Sequence, residues 1–229
     1  MRYDDLIGSD SKRLDEISRP ATRKEVDVVL RKAGYKRLGR GAYGAVYQKT
    51  GKDFVLKIFS SKDSAFLDFI SFSKRHQDNP HFPKFIGKVV KITPNYYAVR
   101  MEILTPYKGN SRAISNYFNY RDYTSDDPSS IIAMTRDDAI EELEAYPHLR
   151  AACDLIIDEF ENKHGFDIKN DNLMMRGSTV VFSDPISIFN GTNDDVSLWP
   201  DEYQDQSNEK GKWSADLDDL YNDLKDAGF

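Results

Sequence analysis

A glycine-rich segment that runs on into a strand rather than a helix sets the tightest limit on this fold. Gly39-Arg40-Gly41-Ala42-Tyr43-Gly44 fits G-x-G-x-x-G, a pattern that also opens the helix of a dinucleotide-binding βαβ unit. The residues that follow decide between the two. Ala45-Val46-Tyr47-Gln48 suits a strand, Thr50-Gly51 is a turn signal, and Phe54-Val55-Leu56-Lys57-Ile58-Phe59 is a second apolar run. That order reads as strand, turn, strand. A glycine-rich hairpin over Tyr35 to Ile58 is therefore predicted, with Lys57 on the strand after the glycines.

The rest of the chain is consistent with an α+β architecture. Thr22-Arg23-Lys24-Glu25 forms a capping box that opens a helix through Val26, Val29 and Leu30, which Gly34 can end. Ser64 to His76 carries Phe66, Phe69, Ile70 and Phe72 near helical spacing, stopped by Asn79-Pro80. Phe85 to Val90 and Tyr96 to Ile103 read as strands around Thr93-Pro94-Asn95. Residues 105 to 130 read as a short helix through Ile114, Tyr117 and Phe118 plus a polar loop. Asp137 to Lys163 holds two helical patterns broken at Pro147, and Leu173-Met174-Met175 and Val180-Val181-Phe182 are short strands around Arg176-Gly177-Ser178. Ser214 is placed to cap a last helix through Leu217, Leu220, Tyr221 and Leu224. Residues 1 to 21 are polar and read as an extension. No internal repeat is present.

Composition excludes several classes. The net charge of -6 argues against a nucleic-acid footprint, since phosphate backbones need a basic face. The single cysteine, Cys153, rules out an internal disulfide and suits a reducing cytosol; it reads as a small buried residue in a helix. No apolar leader follows Met1 and no run approaches membrane-spanning length, so a soluble cytoplasmic protein is expected.

The chemistry begins with a nucleotide. Gly39, Gly41 and Gly44 let backbone N–H groups approach ATP phosphates closely, while Val46 can pack on adenine and Lys57 can pair with the phosphates. Asp167 and Asn172 are five apart, the spacing at which Asp167 accepts the proton of an attacking hydroxyl and Asn172 turns back to hold Mg²⁺. Lys169 can neutralise charge on a phosphoryl group in transfer. The two short strands then deliver Asp184 to the metal.

The combination of glycine hairpin, Lys57, and Asp167 with Asn172 resembles the protein kinases, and implies an antiparallel-sheet N-lobe over 35–104 after an extension and helix over 1–34. A truncated, mainly helical C-lobe with an acidic tail would occupy 105–229. Met101-Glu102-Ile103 fits the hinge whose backbone reads the adenine edge, and Lys169 is similar to serine/threonine rather than tyrosine kinases. The departures are also specific. Gly165-Phe166 stands where His-Arg precedes the aspartate, with His164 one place early, and Asp184 is followed by Pro185-Ile186 rather than Phe-Gly. No Ala-Pro-Glu appears and 45 residues follow Asp184 in the 229-residue chain, so no activation-loop phosphoswitch is expected. The helix over 64–76 offers only Asp68, one methylene shorter than a glutamate, as a partner for Lys57, and Asp68 also reads as part of a solvated helix face.

Those departures themselves carry a closer likeness. Phe166-Asp167-Ile168 through Asn172-Leu173-Met174 to Ser183-Asp184-Pro185-Ile186-Ser187, with Ala33-Gly34-Tyr35-Lys36-Arg37-Leu38-Gly39 ahead of the glycine loop, resembles the early serine/threonine kinases of T7-like bacteriophages. The likeness runs over residues 25 to 195 and is loose between 105 and 150. It implies phosphorylation of host transcription and RNA-processing proteins, and of the kinase itself. Family members can carry a separate C-terminal transcription-shutoff region, which is not expected in a chain ending at Phe229. Ser183, Ser187 and Thr192 are candidate self-modification sites.

Two further classes stay open: a small-molecule kinase of related fold, and a catalytically inactive binding module. The segment from Asp194 to Phe229, with eleven acidic residues against three lysines, reads as a solvated helix face or a dock for a basic partner.

Overall fold

The computed structural model describes residues 22–120 and 131–188. The extension over residues 1 to 21, the acidic tail and its helix from Ser214 lie outside the described residues. The chain divides into two compact units: the first has residues 22–63 and Phe85–Ile103, and the second has Ser64–Lys84 and the described residues from Leu104 onward.

The first unit is a five-stranded antiparallel sheet with one helix. Helix α1 (Arg23–Lys32) starts at the expected capping box: Thr22 Oγ1 accepts from the Glu25 amide and the Glu25 carboxylate takes the Thr22 N–H. Gly34, at φ 85°, follows its end, a conformation a side chain would strain. Strands β1 (Tyr35–Arg40), β2 (Gly44–Lys49), β3 (Phe54–Ser60), β4 (Phe85–Thr93) and β5 (Tyr96–Glu102) line up in the order β1-β2-β3-β5-β4. β4 runs three residues beyond the predicted end at Val90, because Ile92 and Thr93 are buried and continue the ladder to Tyr96.

The register divides the sheet into two faces. Ala45 pairs Ile58 and Tyr47 pairs Leu56, while Ile58 also pairs Ala98. These residues bury with Val26, Val29 and Leu30 of α1 in one cluster. Each fully buried aliphatic side chain there contributes about 1.5–3 kcal/mol. Asp27 of α1 accepts from the Tyr47 hydroxyl and from Arg37, each at 3.2 Å. Burial and that nearby carboxylate push the Tyr47 phenol up to about 12.

The second unit is mainly helical: α2 (Ser64–Arg75), α3 (Arg112–Tyr120), α4 (Ile131–Glu144) and α5 (Pro147–Phe160). Pro147 occupies the first turn of α5, where its missing N–H costs nothing, so the predicted break between the two helical patterns is a helix start. α4 begins at Ile131, earlier than its sequence pattern suggests. Phe72 of α2 sits at the centre of an aromatic cluster, 4.9 Å from the Phe82 ring and 5.2 Å from Phe160, in edge-on contacts. Cys153 is buried in α5, the small buried helical residue expected from the sequence, and burial pushes its thiol up.

Short strands complete this unit. β8 (Leu173–Arg176) and β9 (Thr179–Phe182) form the predicted hairpin, turned by Gly177 at φ 63°. β6 (Thr105–Pro106) adds an edge to β8, and β7 (Gly165–Phe166) pairs with β10 (Ile186–Ser187). Among the described residues, no helix is long and apolar enough to cross a membrane.

His81 grips β9 twice: its carbonyl accepts from the Phe182 N–H at 2.9 Å, and its Nδ1 lies 2.8 Å from the Val180 carbonyl. A carbonyl only accepts, so Nδ1 carries the proton. Burial lowers the ring below its ordinary 6.5. The unfolded chain then takes a proton more readily than the folded one, so the stabilisation is complete above the unfolded value and is lost as pH falls below it. Urea midpoints should drop as pH falls from about 7 to about 5.5, and H81Q should flatten that slope.

Candidate active site

Three of the predicted nucleotide-binding residues of the first unit fall on the sheet face opposite α1. Val46 pairs with Lys57, Lys57 with Val99, and Val55 with Met101. Directly opposed residues of an antiparallel pair share a face, and alternate residues return to it. Val46, Lys57 and Met101 are thereby brought to one surface. Lys57 is 8% exposed, buried along its length despite its charge. Glu102 ends β5 half-buried, and Ile103 just beyond is 45% exposed.

The glycines differ in what they accommodate. At Gly44 a Cβ would lie 2.8 Å from the Ile58 carbonyl, so this glycine lets β2 and β3 approach each other. A Cβ at Gly39 or Gly41 would meet nothing within 4 Å. Those two leave open space beside the loop, as a phosphate group requires. Between β1 and β2 the turn closes with the Gly41 N–H on the Gly44 carbonyl at 2.9 Å, and Ser60 N–H holds the Tyr43 carbonyl at 2.8 Å.

In the second unit, Asp167 to Asn172 forms a closed loop. The Asn172 side-chain amide donates to the Asp167 carbonyl at 2.7 Å and to Asp167 Oδ2 at 2.9 Å. Lys169 Nζ donates to the same Oδ2 at 2.7 Å. Residues Asn170–Asn172 make one 3-10 turn, closed by the Asn172 N–H on the Lys169 carbonyl. Asn170 ties this turn to the start of α3, accepting from Ser111 N–H at 3.1 Å and donating to the Gly109 carbonyl at 2.9 Å.

Asp184 is tied into the same framework. Asp167 N–H donates to the Pro185 carbonyl at 2.8 Å, and Ser183 donates to the Asn172 carbonyl from both its N–H and its hydroxyl at 2.9 Å. On one side the β7–β10 ladder pairs Phe166 with Ile186. Beneath, the Phe118 ring of α3 lies 5.0 Å from Phe166 and 5.9 Å from Phe182, edge-on to both. Among the described residues no three His, Cys, Asp or Glu side chains gather as a metal cluster. Asn172 and Asp184 would supply two hard oxygen donors, a sparse set that suits Mg²⁺ sharing its shell with phosphates and water.

Sequence reading missed one contact at this site. Asp68 of α2 holds His164 Nε2 at 2.8 Å, with the His164 side chain 9% exposed. The carboxylate weighed as a partner for Lys57, or as a solvated face, thus braces the residue just ahead of β7. The only available signal was the placement of His164 beside Gly165-Phe166-Asp167. Ser183 and Ser187, read as self-modification candidates, have hydroxyls donating to the Asn172 and Gly165 carbonyls; Thr192 lies outside the described residues.

Because Gly44 alone of the three loop glycines is sterically confined, G44A should lower stability by about 1–3 kcal/mol in urea titration. G39A and G41A should each stay within about 0.5 kcal/mol of the parent.

A solved structure of the Cydia pomonella granulovirus kinase PK-1 is similar to this chain at 18% identity, with a TM-score of 0.31, covering 77% of this chain. The chain spans 59% of the length of that viral kinase. No match is found among curated protein sequences. The family model described as bacteriophage T7 protein kinase 0.7 matches residues 8–223. With nearly the whole chain matched, and with a sheet unit and a mainly helical unit that fit a protein kinase-like fold, the protein belongs to the bacteriophage T7 protein kinase 0.7 family.

Proposed function

We propose that the protein is an ATP-dependent serine/threonine protein kinase, phage-encoded and acting on host proteins and on itself in the host cytoplasm. The observation that carries this reading is the closed loop in which Asn172 and Lys169 both hold Asp167 Oδ2. That arrangement leaves Asp167 Oδ1 without a hydrogen-bond partner among the described residues, available to a substrate hydroxyl. Family membership supports ATP as the phosphoryl donor.

The roles follow from the chemistry of each group. Loop amides near Gly39, Gly41 and Gly44 and the Lys57 ammonium hold the phosphates; Val46 and Met101 offer apolar contact to adenine, and the backbone of Glu102 and Ile103 reads its edge. Asn172 and Asp184 would hold Mg²⁺, which when bound would neutralise charge on the phosphates. A serine or threonine hydroxyl oxygen bonds to the γ-phosphorus as the bond to the bridging oxygen breaks, ADP leaves, and the hydroxyl proton passes to Asp167. Lys169 is placed to offset charge on the transferred group. Catalysis of this kind is chiefly positioning and electrostatics.

Transfer of labelled phosphate from ATP and Mg²⁺ to the protein and to a bacterial host extract tests the reading. Label on serine and threonine is expected for the parent, and at least a ~100-fold loss for D167A and K57A. Label confined to tyrosine or to small molecules would replace this reading, and ATP binding with no transfer by any form would favour a binding module.

A further inference from the structure

Arg23 does more than occupy the first turn of α1. Its guanidinium reaches across 18 to 21 residues to the glycine loop, where Nη2 donates to the Gly41 carbonyl at 2.9 Å and to the Gly44 carbonyl, and Nη1 to the Ala42 carbonyl at 3.3 Å. The fourth carbonyl of this turn, that of Tyr43, accepts from Ser60 N–H. All four carbonyls from Gly41 to Gly44 are therefore engaged. The Gly41 N–H is used within the turn, and the N–H groups of Ala42 and Tyr43 make no hydrogen bond among the described residues.

A peptide plane that commits its carbonyl to one side presents its N–H to the other. Holding the oxygens leaves successive N–H groups as an anion-binding concavity. A carbonyl turned the other way would oppose a phosphate electrostatically. The guanidinium also adds a fixed positive charge behind the loop.

Arg23 is itself held in place. The Thr22–Glu25 capping box fixes the turn that bears it. Val26, Val29 and Leu30 bury α1 on the sheet, and Asp27 pins the helix through Tyr47 and Arg37. The planar five-donor fork of arginine can satisfy several carbonyls at once; a lysine ammonium on a flexible stem spans fewer.

We infer that Arg23 is a positioning residue for phosphate recognition, setting the peptide orientations of the 41–44 loop from a helix outside the sheet. The inference rests on the kinase reading, because the anion it serves is the ATP phosphate chain. Its target is the affinity for phosphates, and the adenosine moiety should be indifferent to it.

Calorimetric binding of Mg-ATP, and displacement of a fluorescent ATP analogue by adenosine, should be compared in the full chain for the parent, R23A, R23K and T22A. R23A is expected to weaken Mg-ATP by about tenfold, with R23K intermediate and adenosine within about twofold of the parent. T22A, which loosens the turn bearing Arg23 but keeps the guanidinium, should lower the melting temperature and weaken Mg-ATP less than R23A does, with adenosine again within about twofold of the parent. The same split should appear in kinetics as a raised KM for ATP with kcat little altered. Equal ATP affinity in R23A, or a parallel loss of adenosine, overturns the inference while the kinase reading stands. A parent that binds no ATP overturns both. Should R23A fail to fold, R23K decides on the same readouts.

Discussion

The amide of Asn172, donating at once to the carbonyl and the carboxylate of Asp167, holds the geometry on which the second unit's candidate chemistry depends. Six residues of loop would otherwise be free to place Asp167 in many directions, and ordering them costs conformational entropy of roughly 1–2 kcal/mol per residue. Two short hydrogen bonds from one buried side chain offset part of that cost. The rest comes from neighbours: the Asn170 side chain bridging Gly109 and Ser111, and Phe118 under both Phe166 and Phe182. Loop chemistry is thereby mounted on helix α3, which supplies rigidity that a surface loop lacks.

The absence of the usual His-Arg before the aspartate is met by a different construction. His164 lies one place too early in sequence for the familiar role, yet its ring reaches Asp68 of α2 and lies tilted against Phe160. Helix α2 packs against β10 and sends Phe72 into the ring cluster with Phe82 and Phe160. Its acidic residue thus serves the segment entering the Asp167–Asn172 loop. The value of this contact between a buried ring and a partly exposed carboxylate is geometric: it fixes where the chain enters β7.

The glycine hairpin, the capping box, α2 and the β8–β9 hairpin were legible because each is local, with its signal contained in no more than about 25 residues. The register that puts Val46, Lys57 and Met101 on one face follows from alternation once the strands are known. Three features were not legible. β7 and β10 are two residues each, too short for any period, and exist only because the chain brings Gly165-Phe166 beside Ile186-Ser187. Asp68 and His164 are 96 positions apart, and residue type alone cannot name such a partner. Arg23 read as one letter of a capping box, since nothing in the local pattern shows where a long side chain ends.

The β7–β10 ladder also has a consequence for how this region comes apart. Asp167 leans on Pro185, Ser183 on Asn172, and the two-residue ladder joins the flanks. No single strand here has enough bonds to persist alone, so the segments around Asp167 and Asp184 stand or melt as one cooperative element. Amide exchange at Asp167, Asn172 and Ser183 would then share one opening free energy, and a fault introduced at either segment would be felt equally at the other.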